Sequence, residues 1–309
     1  MKYKVASFLA GIPPGNKNPN KPVMLKNFIS GVNACGDQGL IVENKEYVDC
    51  DVAVIQGFVH EHGKSAPHLT FRKQVIDINT VKPKRCVIID SNMFSYHTGR
   101  LGDSGMCRYS FDGVFPTTGE YCSEGVGSEH WERLQKNYGL ELKPYTKQGD
   151  HILICLQRNG GWSMMGEPVI DWLRNTVTTL RQYTKRPIVV RCHPGDGKFM
   201  HYMKDIKAIG DLIISDHKTR SIMQDLTGAW AMVVKNSSPS VAAVMNGIPV
   251  YATDPVNCQA GPVANTDIRL IERPMYIERE NWLHKICASH WNIEELRNGA
   301  CWSHMRKYV

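Results

Sequence analysis

Three polar segments in the second half of the chain combine residue types that bind phosphate. They are 157–164, 191–198 and 236–240, and each follows a predicted buried strand. The last segment contains three serines where a strand turns into a helix of small residues. Helix N-termini attract anions because their first N–H groups lack intrahelical partners and the helix dipole is positive there. Since the carboxyl ends of parallel strands meet at one edge of a sheet, we expect a phosphate-bearing ligand at that edge.

Ten residues of these segments are predicted to contact this ligand. Arginine and lysine neutralise phosphate charge, histidine and serine donate hydrogen bonds, and paired glycines let the backbone approach closely. The predicted contacts are Arg158, Gly160, Gly161, Arg191, His193, Lys198, Asn236, Ser237, Ser238 and Ser240. The structural alternatives are a solvated surface turn at Arg158 and an ordinary helix cap at Ser238 or Ser240, and a cap is compatible with anion binding.

The rest of the chain indicates how these segments are positioned. Apolar runs of strand length alternate with helical patterns in both halves, for example at Arg85–Asp90 and at Ile188–Arg191. Continuous apolar strands are typical of parallel sheets that are covered on both faces. We therefore predict an α/β protein with two Rossmann-like domains that face a central cleft.

The predicted domain boundaries follow the point where the alternation of strands and helices begins again. Residues 1–147 form the first domain, 148–275 the second, and 276–309 are C-terminal helices that brace the two. Residues 91–128 are rich in glycine, serine, threonine and aromatic residues and have no helical period. A long irregular stretch in a compact protein is usually a functional loop or a lid, so this segment is predicted to be one.

Composition limits the class of protein. A hydrophobic content of 42% and a charged content of 22% are typical of a globular chain. The net charge of +7 fits a polyanionic partner such as nucleic acid, but many enzymes share it. The ten cysteines include no Cys-x-x-Cys pair, which argues against a zinc ribbon. With no secretory signal and no membrane span in the sequence, we expect a cytoplasmic protein.

Two short patterns resemble metal ligands and are interpreted otherwise. His60 and His62, with His68 nearby, lack the i, i+4 spacing of a zinc-protease helix and are interpreted as a polar loop. Asp49 and Asp51 form an Asp-x-Asp at the start of a buried strand, where a loop is the simpler interpretation. The sequence therefore predicts no metal site and no cofactor.

A family resemblance rests on three short motifs within residues 151–255. A His-Pro pair at 193–194, a Ser-Ser pair at 237–238 and a Gly-x-Pro-Val ending at 247–250 occur in this order. Together they resemble the donor-binding domain of GT-B glycosyltransferases, especially the capsule-type and sialyltransferase-like groups. The resemblance implies that the ligand is a nucleotide sugar, whose phosphate these motifs hold without a metal.

The same groups carry an acidic residue before glycine in the N-terminal domain, where it serves as general base. Asp112 is the match here, although it is a single acid where the family pattern often has two. Asp103, Glu120 and Glu124 lie in the same irregular segment and are rival candidates.

The acceptor is inferred from a second resemblance. Residues 108–122 resemble glycosyltransferase-like proteins of tailed bacteriophages, which implies transfer to a 5-hydroxymethylpyrimidine in phage DNA. Lys17, His60, His62 and Arg108 are the predicted acceptor contacts. The alternatives are a surface-glycan acceptor, a non-catalytic nucleotide- or DNA-binding protein on the same scaffold, and a sugar-nucleotide epimerase.

Overall fold

The computed structural model describes residues 1–16, 18–59, 66–98, 105–197 and 199–309. The chain divides into two compact units. Unit 1 comprises residues 1–138 and 283–309, and unit 2 comprises residues 139–282. Residues 283–309, which the sequence analysis assigned to a separate C-terminal segment, thus belong to unit 1.

Each unit is built from strands that alternate with helices. The strands, in chain order, are β1 (Lys4–Phe8), β2 (Gln38–Val42), β3 (Val52–Gln56), β4 (Arg85–Asp90), β5 (Cys107–Phe111), β6 (His151–Cys155), β7 (Ile188–Arg191), β8 (Ile213–Ser215), β9 (Ala229–Val234), β10 (Val250–Ala252) and β11 (His290–Trp291). The helices are α1 (Asn20–Ala34), α2 (Pro67–Asn79), α3 (Ser95–Thr98), α4 (Glu129–Tyr138), α5 (Val169–Arg181), α6 (Met203–Ile209), α7 (Ile222–Leu226), α8 (Pro239–Met245), α9 (Glu280–Ala288), α10 (Ile293–Arg297) and α11 (Ala300–Met305). In the described part of the chain, no helix is long and apolar enough to cross a bilayer.

Unit 1 contains a six-stranded sheet in the order β11-β5-β4-β3-β1-β2. Strands β1 to β4 are parallel, whereas β5 is antiparallel to β4 and β11 is antiparallel to β5. This corrects the sequence analysis, which treated residues 91–128 as irregular and the sheet as parallel. The signal of β5 was hidden because Arg108 and Ser110 interrupt its apolar residues, yet all five residues of the strand are buried.

Unit 2 contains a five-stranded parallel sheet in the order β10-β9-β6-β7-β8. From β6 the chain continues to β7 and β8 on one side, and β9 and β10 lie on the other side. The strand order therefore reverses between β6 and β9. The residues of β6 and β9 are almost all fully buried, which explains why the apolar runs of these two strands are continuous in the sequence.

The C-terminal residues of unit 1 pack against helix α1 at a glycine. A Cβ added to Gly31 would lie 2.0 Å from the carbonyl oxygen of Leu296 and 3.0 Å from the Cα of Gly299. Both neighbours are backbone atoms, which cannot rotate away as a side chain would. Close approach of α1 and α10 therefore requires glycine at this position.

Replacing Gly31 by alanine is expected to lower the free energy of unfolding by about 3 kcal/mol, because α10 must move away from α1. Urea unfolding of the purified protein measures this loss. Ser30→Ala is the matched control, since Ser30 is exposed on the same helix, and it should change stability by less than about 0.5 kcal/mol. Equal midpoints for the two variants would contradict the close helix contact.

His290 of β11 is a fully buried histidine that is held in its neutral form. Its Nε2 accepts a hydrogen bond from the Met93 N–H at 3.1 Å, and its Nδ1 lies 2.8 Å from the carbonyl oxygen of Ile286. The neutral ring therefore carries its proton on Nδ1, and a second proton would have to face the Met93 N–H. Burial lowers the pKa of His290 to about 3.

This lowered pKa predicts a pH dependence of stability. As pH falls below about 6.5, the unfolded chain binds a proton at His290 that the folded chain does not. The stabilisation that neutral His290 contributes is fully present above about pH 6.5. As the pH falls toward the folded pKa of about 3, this stabilisation is lost, at about 1.4 kcal/mol per pH unit. Unfolding measured over this range should show a shallower slope for His290→Gln, which does not titrate; equal slopes would contradict the assignment.

Candidate functional site

The carboxyl edge of the unit 2 sheet has the topology of a ligand site. Strands β6 and β9 are neighbours, and the strand order reverses between them. In open α/β sheets, ligands bind outside the carboxyl ends of the strands at such a switch point. All three polar segments identified in the sequence leave the sheet at this edge, because they follow β6, β7 and β9.

Asn236 joins the segments that follow β6, β9 and β10. Its Oδ1 accepts a hydrogen bond from Gln157 Nε2, and its Nδ2 donates to the Ser163 carbonyl oxygen at 3.0 Å and to Asp254 Oδ2 at 2.9 Å. The side chain is buried, and both its Oδ1 and its Nδ2 are engaged in these contacts. Asn236 is thus a positioning residue that fixes the shape of the edge.

Asp196 joins the segments that follow β6 and β7. The buried carboxylate accepts hydrogen bonds from the Asn159 N–H, at 3.0 Å, and from the Tyr202 hydroxyl. Sequence reasoning did not identify this residue as a positioning group. Its only signal there is an aspartate between two glycines, which is typical of any turn.

His193 presents one ring N–H at this edge. Its Nδ1 accepts a hydrogen bond from the Gly195 N–H at 2.9 Å, so the neutral ring carries its proton on Nε2. Burial, reinforced by the positive charge of Arg158, lowers the pKa of His193. The ring is therefore neutral near pH 7, with its Nε2–H remaining as a donor.

Arg191 is held by an ion pair. Its Nη1 lies 2.5 Å from Asp225 Oδ2 and 3.3 Å from the Ser215 hydroxyl, and Arg220 Nε contacts the other oxygen of Asp225 at 2.8 Å. Burial alone would raise the pKa of Asp225, but hydrogen bonds from Ser215, Arg220 and Arg191 hold it below its usual value. The charge of Arg191 is thus balanced within the sheet edge.

The serines differ in accessibility. Ser238 is exposed at the start of α8, and its side chain makes no capping hydrogen bond with the described backbone of that helix. Ser237 is buried beside it. Ser240 is fully buried, with its hydroxyl 3.6 Å from the Cys258 sulfur. The structure thus leaves Ser238 as the serine whose side chain faces solvent.

Arg158 and the paired glycines form a tight turn after β6. The Gly161 N–H donates to the Arg158 carbonyl oxygen at 3.0 Å, and Gly160 has a φ of +68°, which favours glycine. Arg158 itself is exposed. The turn therefore presents a guanidinium group beside the switch point.

Several predicted residues lie outside the described residues. These are Lys198 of the ligand segments, Lys17, His60 and His62 of the predicted acceptor contacts, and Asp103 among the rival bases.

Asp112 lies in a turn at the amino end of the parallel strands of unit 1. Its Oδ2 accepts from Arg85 Nε at 2.6 Å and its Oδ1 from the Cys86 N–H at 2.8 Å. Because β5 runs antiparallel to β4, its end lies at the edge opposite to the one where α/β sheets bind ligands. A general base at Asp112 stays a prediction, but its geometry is that of a turn residue. Of its rivals, Glu120 accepts from the nearby Cys122 N–H at 2.6 Å.

Asp90 is a carboxylate at the opposite, carboxyl edge of the same sheet. It ends β4, and about 30% of its side chain is exposed. Its Oδ2 accepts from Arg108 Nη2 at 2.8 Å, while Arg108 is only 1% exposed. A buried arginine therefore orients a partly exposed carboxylate. Sequence reasoning missed this pair because it did not recognise β5.

Positive charge accumulates around Asp90. Burial lowers the pKa of Arg72 to about 10. Burial and then the charge of Arg72 lower that of Lys21. Nε and Nη1 of Arg108 and Nε of Arg72 are buried without a hydrogen-bond partner in the described structure. Lys21 and Arg72 each interact electrostatically with Asp90, and Arg108 is paired with it, so three cations lie near one carboxylate at this edge.

The sheets of the two units give the fold class of this protein. It is an α/β protein with two Rossmann-like units, as in GT-B proteins, so the predicted fold class is confirmed. A scan of protein-family models gave no match, and a search of the curated proteins gave none either.

Among solved structures, the chain is similar to two transferase structures of KpsC from Thermosulfurimonas dismutans. The beta Kdo 2,7 transferase has a TM-score of 0.51 and 11% identity, with 99% of this chain and 100% of that chain covered. The beta Kdo 2,4 transferase also has a TM-score of 0.51 and 11% identity, with 94% and 90% covered. At this identity the similarity shows the fold alone.

Proposed function

We propose that this protein is a glycosyltransferase that moves a sugar from a nucleotide sugar to an acceptor hydroxyl. In this proposal unit 2 binds the donor and unit 1 binds the acceptor. The observation that carries it is the switch point of unit 2, where Asn236 and Asp196 tie together three segments. Rigid, preorganised donors are what a departing nucleotide phosphate requires.

In unit 2, the groups proposed to contact the phosphate are the Nε2–H of His193, the guanidinium of Arg158 and the backbone beside Ser238. The neutral histidine donates a hydrogen bond from Nε2, and the arginine balances charge that develops on the leaving group. Arg191 and Ser240 are assigned positioning and packing roles, because Asp225 and Cys258 already engage their polar groups. Lys198 stays a predicted contact.

In unit 1, Asp90 is proposed as the general base. An acceptor hydroxyl must lose a proton as it attacks, and a partly exposed, oriented carboxylate at the ligand-binding edge suits that role. Asp112 is also paired with an arginine, but it lies at the other edge of the sheet. Both oxygens of each carboxylate accept hydrogen bonds, so the edge distinguishes the two residues.

The acceptor is proposed to be anionic. Support comes from the cations Lys21, Arg72 and Arg108 near a single carboxylate, because their net positive charge favours an anionic partner at this edge even though Arg72 and Arg108 are buried. DNA containing 5-hydroxymethylpyrimidine, the acceptor predicted from the sequence, and an acidic surface glycan both meet this requirement. They differ in charge density, so activity on DNA should fall steeply with salt.

A donor and acceptor screen tests the proposal. The protein is incubated with UDP-, GDP- and CMP-sugars, alone and with each acceptor class, and nucleotide release is followed. Release that requires an acceptor supports sugar transfer and identifies both substrates. Thermal stabilisation by a nucleotide without release on any acceptor would favour the non-catalytic alternative, and donor conversion without acceptor would favour an epimerase.

A further inference from the structure

A cysteine, an aspartate and a histidine converge beside β7 and β8 in unit 2. Cys192 directly follows β7, while Asp216 and His217 directly follow β8. The two strands are parallel, and Arg191 is paired with Ser215, so the residues that follow leave the sheet at the same level. Parallel pairing thus brings together side chains that lie 25 residues apart in the chain.

The spacing of their polar atoms matches a single metal ion. Cys192 Sγ lies 3.5 Å from His217 Nδ1, and Nδ1 lies 3.6 Å from Asp216 Oδ1. All three atoms lie within 4.8 Å of one another. In tetrahedral zinc sites, bond lengths of about 2.3 Å to sulfur and 2.0 Å to nitrogen separate these two ligands by about 3.5 Å.

The orientation of the ring separates a metal site from a catalytic triad. In a Cys-His-Asp triad, the thiol and the carboxylate face opposite nitrogens of the imidazole. Here Cys192 and Asp216 both lie near Nδ1 of His217. That arrangement cannot relay a proton through the ring, but it allows the three atoms to share one ion.

The cluster is also open to solvent on one side. Cys192 is buried, whereas 26% of the His217 side chain and 51% of the Asp216 side chain are exposed. An ion therefore has an entry path past the two exposed ligands. Asp216 Oδ1 also accepts from the Lys218 N–H at 2.9 Å, which fixes the carboxylate in the turn.

We propose that Cys192, Asp216 and His217 bind a divalent transition metal, with zinc the ion whose ligand preferences they match. Binding replaces the thiol proton, which is released to solvent, with a sulfur–metal bond. Three protein ligands leave the fourth tetrahedral position to water. The sequence analysis predicted no metal site, and this proposal does not depend on sugar transfer.

Cobalt titration of the full-length, chelator-treated protein tests the site without any activity assay. We expect one equivalent of Co²⁺ to bind, with a thiolate-to-cobalt charge-transfer absorption that Zn²⁺ abolishes by displacement. Cys192→Ser should remove this absorption. His217→Ala and Asp216→Asn should each lower the affinity for Co²⁺ by about tenfold or more, because even outer-shell partners of a metal contribute about tenfold to its affinity.

Control variants separate loss of the metal site from loss of another thiol or of the fold. Cys35→Ser removes a thiol of unit 1, whereas the proposed ligands belong to unit 2, so it should titrate like the unmodified protein. His217 and Asp216 are partly exposed, so their variants remain informative if the buried Cys192 variant does not fold. Failure to bind a stoichiometric ion, or unchanged binding in His217→Ala, would overturn the proposal.

Discussion

Replacing Asp90 by asparagine is expected to lower kcat for sugar transfer by about 10²- to 10⁴-fold, the usual contribution of a general base. Asparagine keeps the size of the side chain but accepts no proton. Donor binding should be unchanged, because the proposed donor contacts lie in unit 2. Steady-state kinetics with the donor identified in the screen, together with nucleotide binding by calorimetry, measure both quantities.

Asp112→Asn is the matched control for this experiment. Both carboxylates are paired with an arginine, but Asp112 lies beside the first residues of β4 and Asp90 is the last. Asp112→Asn is expected to destabilise the fold by about 1–3 kcal/mol, because it weakens the bonds from Arg85 and from the Cys86 N–H. Its kcat should stay within a few-fold of the unmodified protein; the reverse pattern would return the base to Asp112.

Replacing His193 by alanine is expected to lower kcat/KM by about 10²- to 10³-fold, the cost of removing one preorganised donor from a developing anion. His193→Gln keeps a side-chain N–H and should recover part of this loss. His201→Ala is the control, because His201 is an exposed histidine only a few residues further along the chain. Equal activity of the His193 and His201 variants would contradict the donor-site assignment.

The elements of this fold that could be predicted from sequence are those whose pattern is local. Strands β4, Arg85–Asp90, and β7, Ile188–Arg191, were both predicted with their observed bounds. Strand β5 was missed because Arg108 and Ser110 are buried polar residues, which no local pattern distinguishes from a loop. Recognising it requires the knowledge that Asp90 pairs with Arg108.

The candidate site shows the same contrast between local sequence signals and contacts between distant residues. The sequence identified the segments that meet at the edge of unit 2, because turn residues after apolar strands are a local signal. It did not reveal which polar groups are already engaged. The partner of Arg191 is 34 residues away and that of Ser240 is 18 residues away, so only the folded chain shows that these groups are occupied.

The division of the chain into units has a consequence for biosynthesis. Unit 2 is one continuous segment, 139–282, whereas unit 1 needs residues 283–309 to supply β11 and the helices that pack on α1. During translation, unit 2 therefore has all its residues before unit 1 does. Until then, β5 is paired with β4 but lacks β11 on its other side. An open strand edge of this kind pairs with other chains and is protected by chaperones.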